Sequence, residues 1–291
     1  PPPSLSPLMD LAALGTVADV VPLSHNNRVI VNAGLARIRA GRARPGIAAL
    51  LQVARRSAHT LAATDLGFAI GPRINAGGRI GNAALGATLL TTADPAEAVR
   101  IAAELDRLNR ERQVIEATAV AAAESEMDHA LSLDPEQPVL VVASTDWHPG
   151  VVGLIAARLK ERFGRPAFAF ALRPDGTATG SGRSIVGVDL GHAVRTAVEA
   201  GVALKGGGHA MAAGVTLAPG GVEPFRAYLN ERLAADGANV VVEVEGGDGD
   251  LRARGLRRVD CGHREGGTEG DDRVDVLVLL ELRGDRRLDV G

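Results

Sequence analysis

Cysteine is nearly missing: Cys261 stands alone in 291 residues. That excludes an intramolecular disulfide framework and any zinc cage built from thiolates. Aromatic residues make up 2% of the chain, and lysine occurs only at Lys160 and Lys205. Stacking platforms for nucleobases are therefore scarce, and positive charge rests on arginine. No stretch approaches the roughly 18 apolar residues that a membrane span needs. Residues 1–7 (PPPSLSP) offer neither the basic start nor the apolar centre of a signal peptide. The expectation is a cytoplasmic protein with no membrane partner. The first residue is Pro rather than Met, so the sequence is expected to begin inside a longer gene. Motifs of the form G-x-x-x-x-G-K-S/T, H-E-x-x-H and G-x-S-x-G do not occur. Nucleoside-triphosphate hydrolysis, zinc proteolysis and serine-esterase chemistry thus have no support.

What is present is apolar mass enough for a core, at 46% hydrophobic residues, which excludes wholesale disorder. Ala, Gly and Arg dominate, as in a GC-rich coding bias. The formal net charge of −3 is unevenly spread: residues 237–291 hold 9 Arg against 13 Asp plus Glu, leaving residues 1–236 at +1. A body this close to neutral has no global field to hold a polyanion. Any such contact must be made in a local cleft.

The pattern along the chain divides it into four parts. In residues 1–92, Leu11–Leu14 reads as helical, and Gly15–Asp19 leads into a short strand or turn closed by Pro22. Helices are expected over 26–40, ending at Gly41, and over 45–53, opened by Pro45. Residues 65–81 hold five glycines and a proline and read as a shaped loop. Asp94-Pro95-Ala96-Glu97 is a capping-box start for a helix with no Gly or Pro until about Leu131, expected as a connector over 93–132. Residues 133–236 then alternate between strands and helices. Strands are expected at 139–144, 166–172, 177–184 and 211–217, and helices at 150–163, 189–200 and 222–235. The KGGGH segment at 205–209 reads as a loop. Past residue 237 the segment 247–273 shows no apolar period, only Val240–Val244 and Val274–Leu282 read as strand-like, and this tail is expected to be disordered or to come from a shifted reading frame.

Four stretches carry residues that could do chemistry. Asp19 closes an apolar segment, and a carboxylate there suits a hard divalent cation. In GPRINAGGR (71–79), glycines permit close approach while Arg73, Asn75 and Arg79 supply donors for phosphate oxygens. The DWHPG loop (146–150) lies between a strand and a helix N-terminus, where anions bind, with His148 as donor or proton carrier. Ser181 and Arg183 offer a hydroxyl and a bidentate fork, and Gly206, Gly207 and Gly208 before His209 could form an amide nest.

Taken in order, LAALGTVADVVPL (11–23), GPRINAGGR (71–79), DWHPGVVGLIAARL (146–159), GSGRS (180–184) and GGGHAMAAG (206–214) resemble the DHH phosphoesterase family. Within it, the resemblance is to exonucleases specific for single-stranded DNA, and it covers about residues 8–235. It implies an α/β fold: the C-terminal part of a DHH domain, a long connector helix, and a DHH-associated α/β domain with a mixed sheet, before a poorly patterned tail. It also implies metal-dependent 5′→3′ hydrolysis of phosphodiester bonds in DNA recombination and repair, with single-stranded DNA as substrate. A helicase and a single-strand-binding protein are the expected partners.

The family's cofactors are two Mn²⁺ or Mg²⁺ ions, and of their ligands only Asp19 has a counterpart here. No Asp-His-His tripeptide occurs. Carried over by position, Asp19 and His209 are the catalytic candidates. Asn75, Arg79, His148, Ser181, Arg183, Gly206, Gly207 and Gly208 are the substrate contacts. With most metal ligands lacking, the chain as written is expected to be inactive. Two alternatives stay open: an oligoribonuclease or cyclic-dinucleotide phosphodiesterase of the same family, and a non-catalytic nucleic-acid-binding module.

Overall fold

The computed structural model describes residues 4–237. Beyond Gly237, the expectations for the tail lie outside the described residues.

The first layer is helical: α1 (Met9–Ala18), α2 (His25–Arg39), α3 (Pro45–Val53), the single turn α4 (Ala63–Asp65), α5 (Gly71–Ile80) and α6 (Ala84–Thr91). A π-helical turn at Leu66–Ile70 joins α4 to α5. Leu14, Leu35, Ile38, Ile47, Leu50, Leu66 and Leu89 meet at its centre. Gly41 stops α2 at φ +69°, where a residue without Cβ is favoured. α1 runs on through Ala18, past the expected Leu14, and the turn comes at Asp19 and Val20. One expectation fails here: residues 65–80 are helical rather than a loop. Glycine costs helix propensity, about 1 kcal/mol each, but packing requires it at these positions. A Cβ on Gly71 would lie 3.2 Å from Ala18, and one on Gly77 would lie 3.1 Å from Leu105.

The connector is α7 (Pro95–Leu133), 39 residues and so about 58 Å long. Asp94 caps it by accepting from the Ala96 N–H at 2.9 Å. The capping box is incomplete, because Glu97 accepts instead from the Thr92 hydroxyl. Ile101, Leu105 and Leu108 bury the first half against the helical layer, while Ala119, Ala123 and Met127 bury the second half in another core.

That second half carries the sheet unit: β1 (Leu140–Ser144), α8 (Val152–Phe163), β2 (Ala167–Leu172), β3 (Ala178–Arg183), α9 (Leu190–Glu199), β4 (Lys205–His209), β5 (Ala212–Leu217) and α10 (Val222–Gly237). The strand order is β1-β2-β3-β5-β4, parallel between β1 and β2 and antiparallel elsewhere, which gives the expected mixed sheet. KGGGH is strand β4, an edge of the sheet, not a loop. On one face Phe168 and Phe170 pack edge-on against Phe225 of α10, with centroids 5.2 and 5.7 Å apart. Gly180 and Gly182 leave room for those rings, since a Cβ at Gly180 would sit 2.3 Å from Phe170. On the other face α8 covers β2 and β3, and the second half of α7 packs beside β1. Among the described residues no helix is long and apolar enough to cross a membrane.

Candidate nucleic-acid interface

The α8 face of the sheet holds the site. Directly opposed residues of antiparallel strands share a face. The register therefore lines up Ser181, Gly214 and Gly207 in one row, and Arg183, Ala212 and His209 in the next. The first row points toward α8: a Cβ on Gly153, at the start of that helix, would lie 3.2 Å from Ser181 Oγ and 2.9 Å from Arg183 Nη2. No side chain caps the α8 N-terminus. Its free amides and dipole favour an anion at this end. Past the edge of α8, open space lies over Gly207 and Gly214. The result is a bare floor beside a guanidinium and a hydroxyl.

Arg183 Nη1 donates to Ser181 Oγ and to the Gly182 carbonyl, both at 2.8 Å. Arg79 reaches the same place from the C-terminal end of α5, donating from Nη1 to the Gly150 carbonyl at 3.1 Å. Neither guanidinium has a carboxylate partner in an ion pair among the described residues. Burial lowers the pKa of Arg183, and the charge of Arg79 adds to that effect. Burial also lowers Arg79, helped by Arg112 and opposed by Glu116. Two half-buried cations, the charge of Arg79 bearing on Arg183 and neither ion-paired to a carboxylate, form an arrangement that an anion completes.

The other candidates fall into three groups. His148 is exposed on the loop before α8, and its Nδ1 accepts from the Gly150 N–H at 3.0 Å. A neutral ring then carries its proton on Nε2, free to donate. Buried Trp147 anchors this loop in the core. Asn75 is exposed one helical turn before Arg79. His209 is exposed two strands from Arg183, about 10 Å across the sheet. The three glycines divide: Gly207 belongs to the open floor, while Gly206 and Gly208 turn toward the α9 face. A Cβ on Gly206 would come 2.5 Å from Val194, and one on Gly191 would come 2.7 Å from the Gly208 carbonyl. The strand ladder also leaves no amide nest here. Arg73 pairs with Asp106 at 2.9 Å and takes no part in the site.

Asp19 stands apart. It is the exposed C-cap of α1, whose end packs on Gly71 at the start of α5, about 12 Å along that helix from Arg79. Among the described residues no three His, Cys, Asp or Glu side chains converge to hold a metal ion. One exposed carboxylate does not make a divalent-cation site, because affinity and geometry both follow ligand number. The donor set therefore does not fit the two-metal centre, and no hydrolytic step is assigned to these residues.

Sequence reasoning missed Arg112, Glu116 and Arg158, which line a cavity of about 520 Å³ beside Arg79. The i, i+4 pairing of Arg112 with Glu116 on α7 was visible in the sequence. The face it turns toward α8 was not.

Residues 136–235, which hold the sheet unit, match the DHHA1 domain family. The proteins the chain is similar to are RecJ exonucleases. It is 48% identical over 227 residues to the single-stranded-DNA-specific exonuclease RecJ of Dickeya dadantii, covering 77% of this chain and 39% of that protein. The crystal structure of RecJ from Thermus thermophilus in complex with Mg²⁺ superposes with a TM-score of 0.70 at 36% identity, covering 81% of this chain and 35% of that one. A crystal structure of exonuclease RecJ bound to manganese gives 0.65 at 36% identity, covering 82% and 58%. The chain thus spans about two fifths of the length of the curated relative.

Two glycines at the site give a paired prediction. A Cβ on Gly150 would lie 2.0 Å from the Arg79 carbonyl oxygen, a backbone atom that cannot yield without parting α5 from α8. Gly150→Ala is expected to cost about 1–3 kcal/mol, read by chemical denaturation. Gly153→Ala meets the flexible tip of Arg183 and the Ser181 hydroxyl, both side-chain atoms that can give, and should cost little stability while displacing that guanidinium. If the two variants unfold alike, this account of the packing is wrong.

Proposed function

We propose that the chain is the terminal-phosphate-recognising part of a 5′→3′ exonuclease specific for single-stranded DNA. The supporting observation is the pair of guanidinium groups, Arg79 and Arg183, converging without a carboxylate on the uncapped end of α8. Arg183, Ser181 and Arg79 would hold the 5′-terminal phosphate, with His148 and Asn75 at its margin. His209 would face the next part of the strand across the glycine floor. With no base-stacking surface in the site, selectivity on this reading is steric and phosphate-directed. Residues 1–92 would be part of the catalytic DHH domain, 93–132 the connector and 133–236 the phosphate-binding domain.

Mn²⁺ or Mg²⁺ would supply the hydrolytic water in the whole enzyme, where Asp19 would be one ligand among several. The relatives' structures with magnesium and manganese support that part of the reading. The wider assignment is to recombination and repair in the cytoplasm, beside a helicase and a single-strand-binding protein.

The test separates binding from chemistry. The purified 291-residue chain is expected to bind a 5′-phosphorylated single-stranded oligonucleotide more tightly than its 5′-hydroxyl counterpart. With Mn²⁺ or Mg²⁺ it should release no 5′ nucleotide. Equal affinity for the two ends would overturn the phosphate reading, and robust end release would overturn the reading of Asp19 as an incomplete metal site.

A further inference from the structure

The cavity beside Arg79 differs in kind from the terminal-phosphate cluster. It lies between α5, α7 and α8, and its volume of about 520 Å³ is far more than a phosphate alone needs. Three guanidinium groups line it, those of Arg79, Arg112 and Arg158, against one carboxylate, Glu116. Glu116 is shared, paired with Arg112 and standing 3.8 Å from Arg158 Nε. Arg158 also meets Glu161 at 2.9 Å on the outer side of α8. Arg112 is nearly buried, and its Nε has no hydrogen-bond partner. Asn75 and Gln113 add polar groups to the remaining wall, and Ala117, Val120 and Leu154 give it an apolar stretch. An excess of positive charge beside an apolar stretch suits a group with an anionic end and a less polar body. Arg79 belongs to this cavity and to the terminal-phosphate cluster at once.

We propose that this cavity is a second nucleotide subsite, holding a phosphate ester on Arg79, Arg112 and Arg158 and its sugar and base along Ala117 and Leu154. The proposal rests on the terminal-phosphate reading above and extends it by one nucleotide unit. That unit is either the next residue of a bound strand or a free nucleoside monophosphate.

The experiment is calorimetric titration of the full chain with 5′-phosphorylated thymidine mono- and dinucleotide. Two variants accompany it: Arg158→Gln, which removes a half-exposed cation, and Ala117→Phe, which fills the cavity from an exposed helix position. A strand unit in the subsite gives one equivalent of mononucleotide and about tenfold tighter binding of the dinucleotide. Both variants should lose that gain while leaving mononucleotide affinity within about twofold. A free nucleotide in the subsite gives two equivalents of mononucleotide, one of them absent in each variant. The proposal is overturned if one equivalent of each ligand binds with equal affinity, or if both variants keep the gain. Failure of the terminal-phosphate reading looks different, because the mononucleotide then does not bind at all, and both proposals fall together.

Discussion

Replacing Arg183 by glutamine is expected to weaken binding of a 5′-phosphorylated single strand by on the order of 100-fold while leaving the fold intact. A hydrogen bond to a charged group contributes about 1.5–3 kcal/mol. Every 1.4 kcal/mol is a factor of ten. Arg183 offers a fork of donors, and Nη1 is already held in place by Ser181 Oγ and the Gly182 carbonyl, so little rotamer freedom is lost on binding. The side chain is half-buried and has no carboxylate partner in an ion pair among the described residues, so its removal leaves no buried counter-charge stranded. Arg183→Lys keeps the charge without the planar fork and should fall between the two.

The mechanism is specific enough to be tested by a cycle. Removing the 5′ phosphate from the ligand should cost the wild-type chain about what Arg183→Gln costs, and should cost the variant little more. The salt dependence should also flatten by about one counterion. If Arg183→Gln weakens phosphorylated and unphosphorylated ends equally, Arg183 contacts the strand somewhere other than its terminus.

Why that site could be only partly seen in the sequence follows from what each residue reveals locally. Arg79, Ser181, Arg183 and His148 stood out because polar and glycine residues break an apolar pattern, and the structure gathers them at the end of α8. The connector was readable from its cap and its length without interruption, and α3 runs over the expected 45–53. Glycine was the main source of error. It has no side chain to carry a period, so KGGGH and GPRINAGGR gave the signature of loops although β4 and α5 are regular. What holds them regular is contact from far along the chain: Val194 against Gly206, Ala18 against Gly71 and Leu105 against Gly77. Local propensity was overruled by packing that only glycine permits. The arginines of the cavity were hidden for the opposite reason. A charged i, i+4 pair on a long helix reads as a solvated face until a second helix is known to cover it.

Asp10 was hidden in the same way, and it carries the largest expected effect on stability. It is fully buried in the opening turn of α1. Its carboxylate accepts from the Leu11 N–H at 2.9 Å, the Arg44 N–H at 3.0 Å and Arg44 Nε at 3.3 Å, with Arg37 Nε at 3.8 Å. Arg44 then passes the connection on, donating to the Leu90 carbonyl at 2.9 Å and the Pro7 carbonyl at 3.2 Å. One carboxylate thus ties together the start of α1, the start of α3 and the end of α6. Asp10→Ala would strand this cationic group inside the helical layer, where breaking a buried pair costs about 3–5 kcal/mol. For a chain of this size each kcal/mol moves the midpoint by about 2–4 °C, so Tm should fall by about 6–20 °C. Asp10→Asn keeps acceptors for the backbone amides but loses the charge, and should lie between. No contact links Asp10 to Arg79 or Arg183, so the folded fraction of Asp10→Ala, assayed well below its midpoint, should keep wild-type affinity for the 5′ phosphate. A Tm within about 2 °C of wild type would show that Arg37 and Arg44 do not depend on Asp10. A folded variant that has lost phosphate binding would show that the helical layer positions Arg79 through this network.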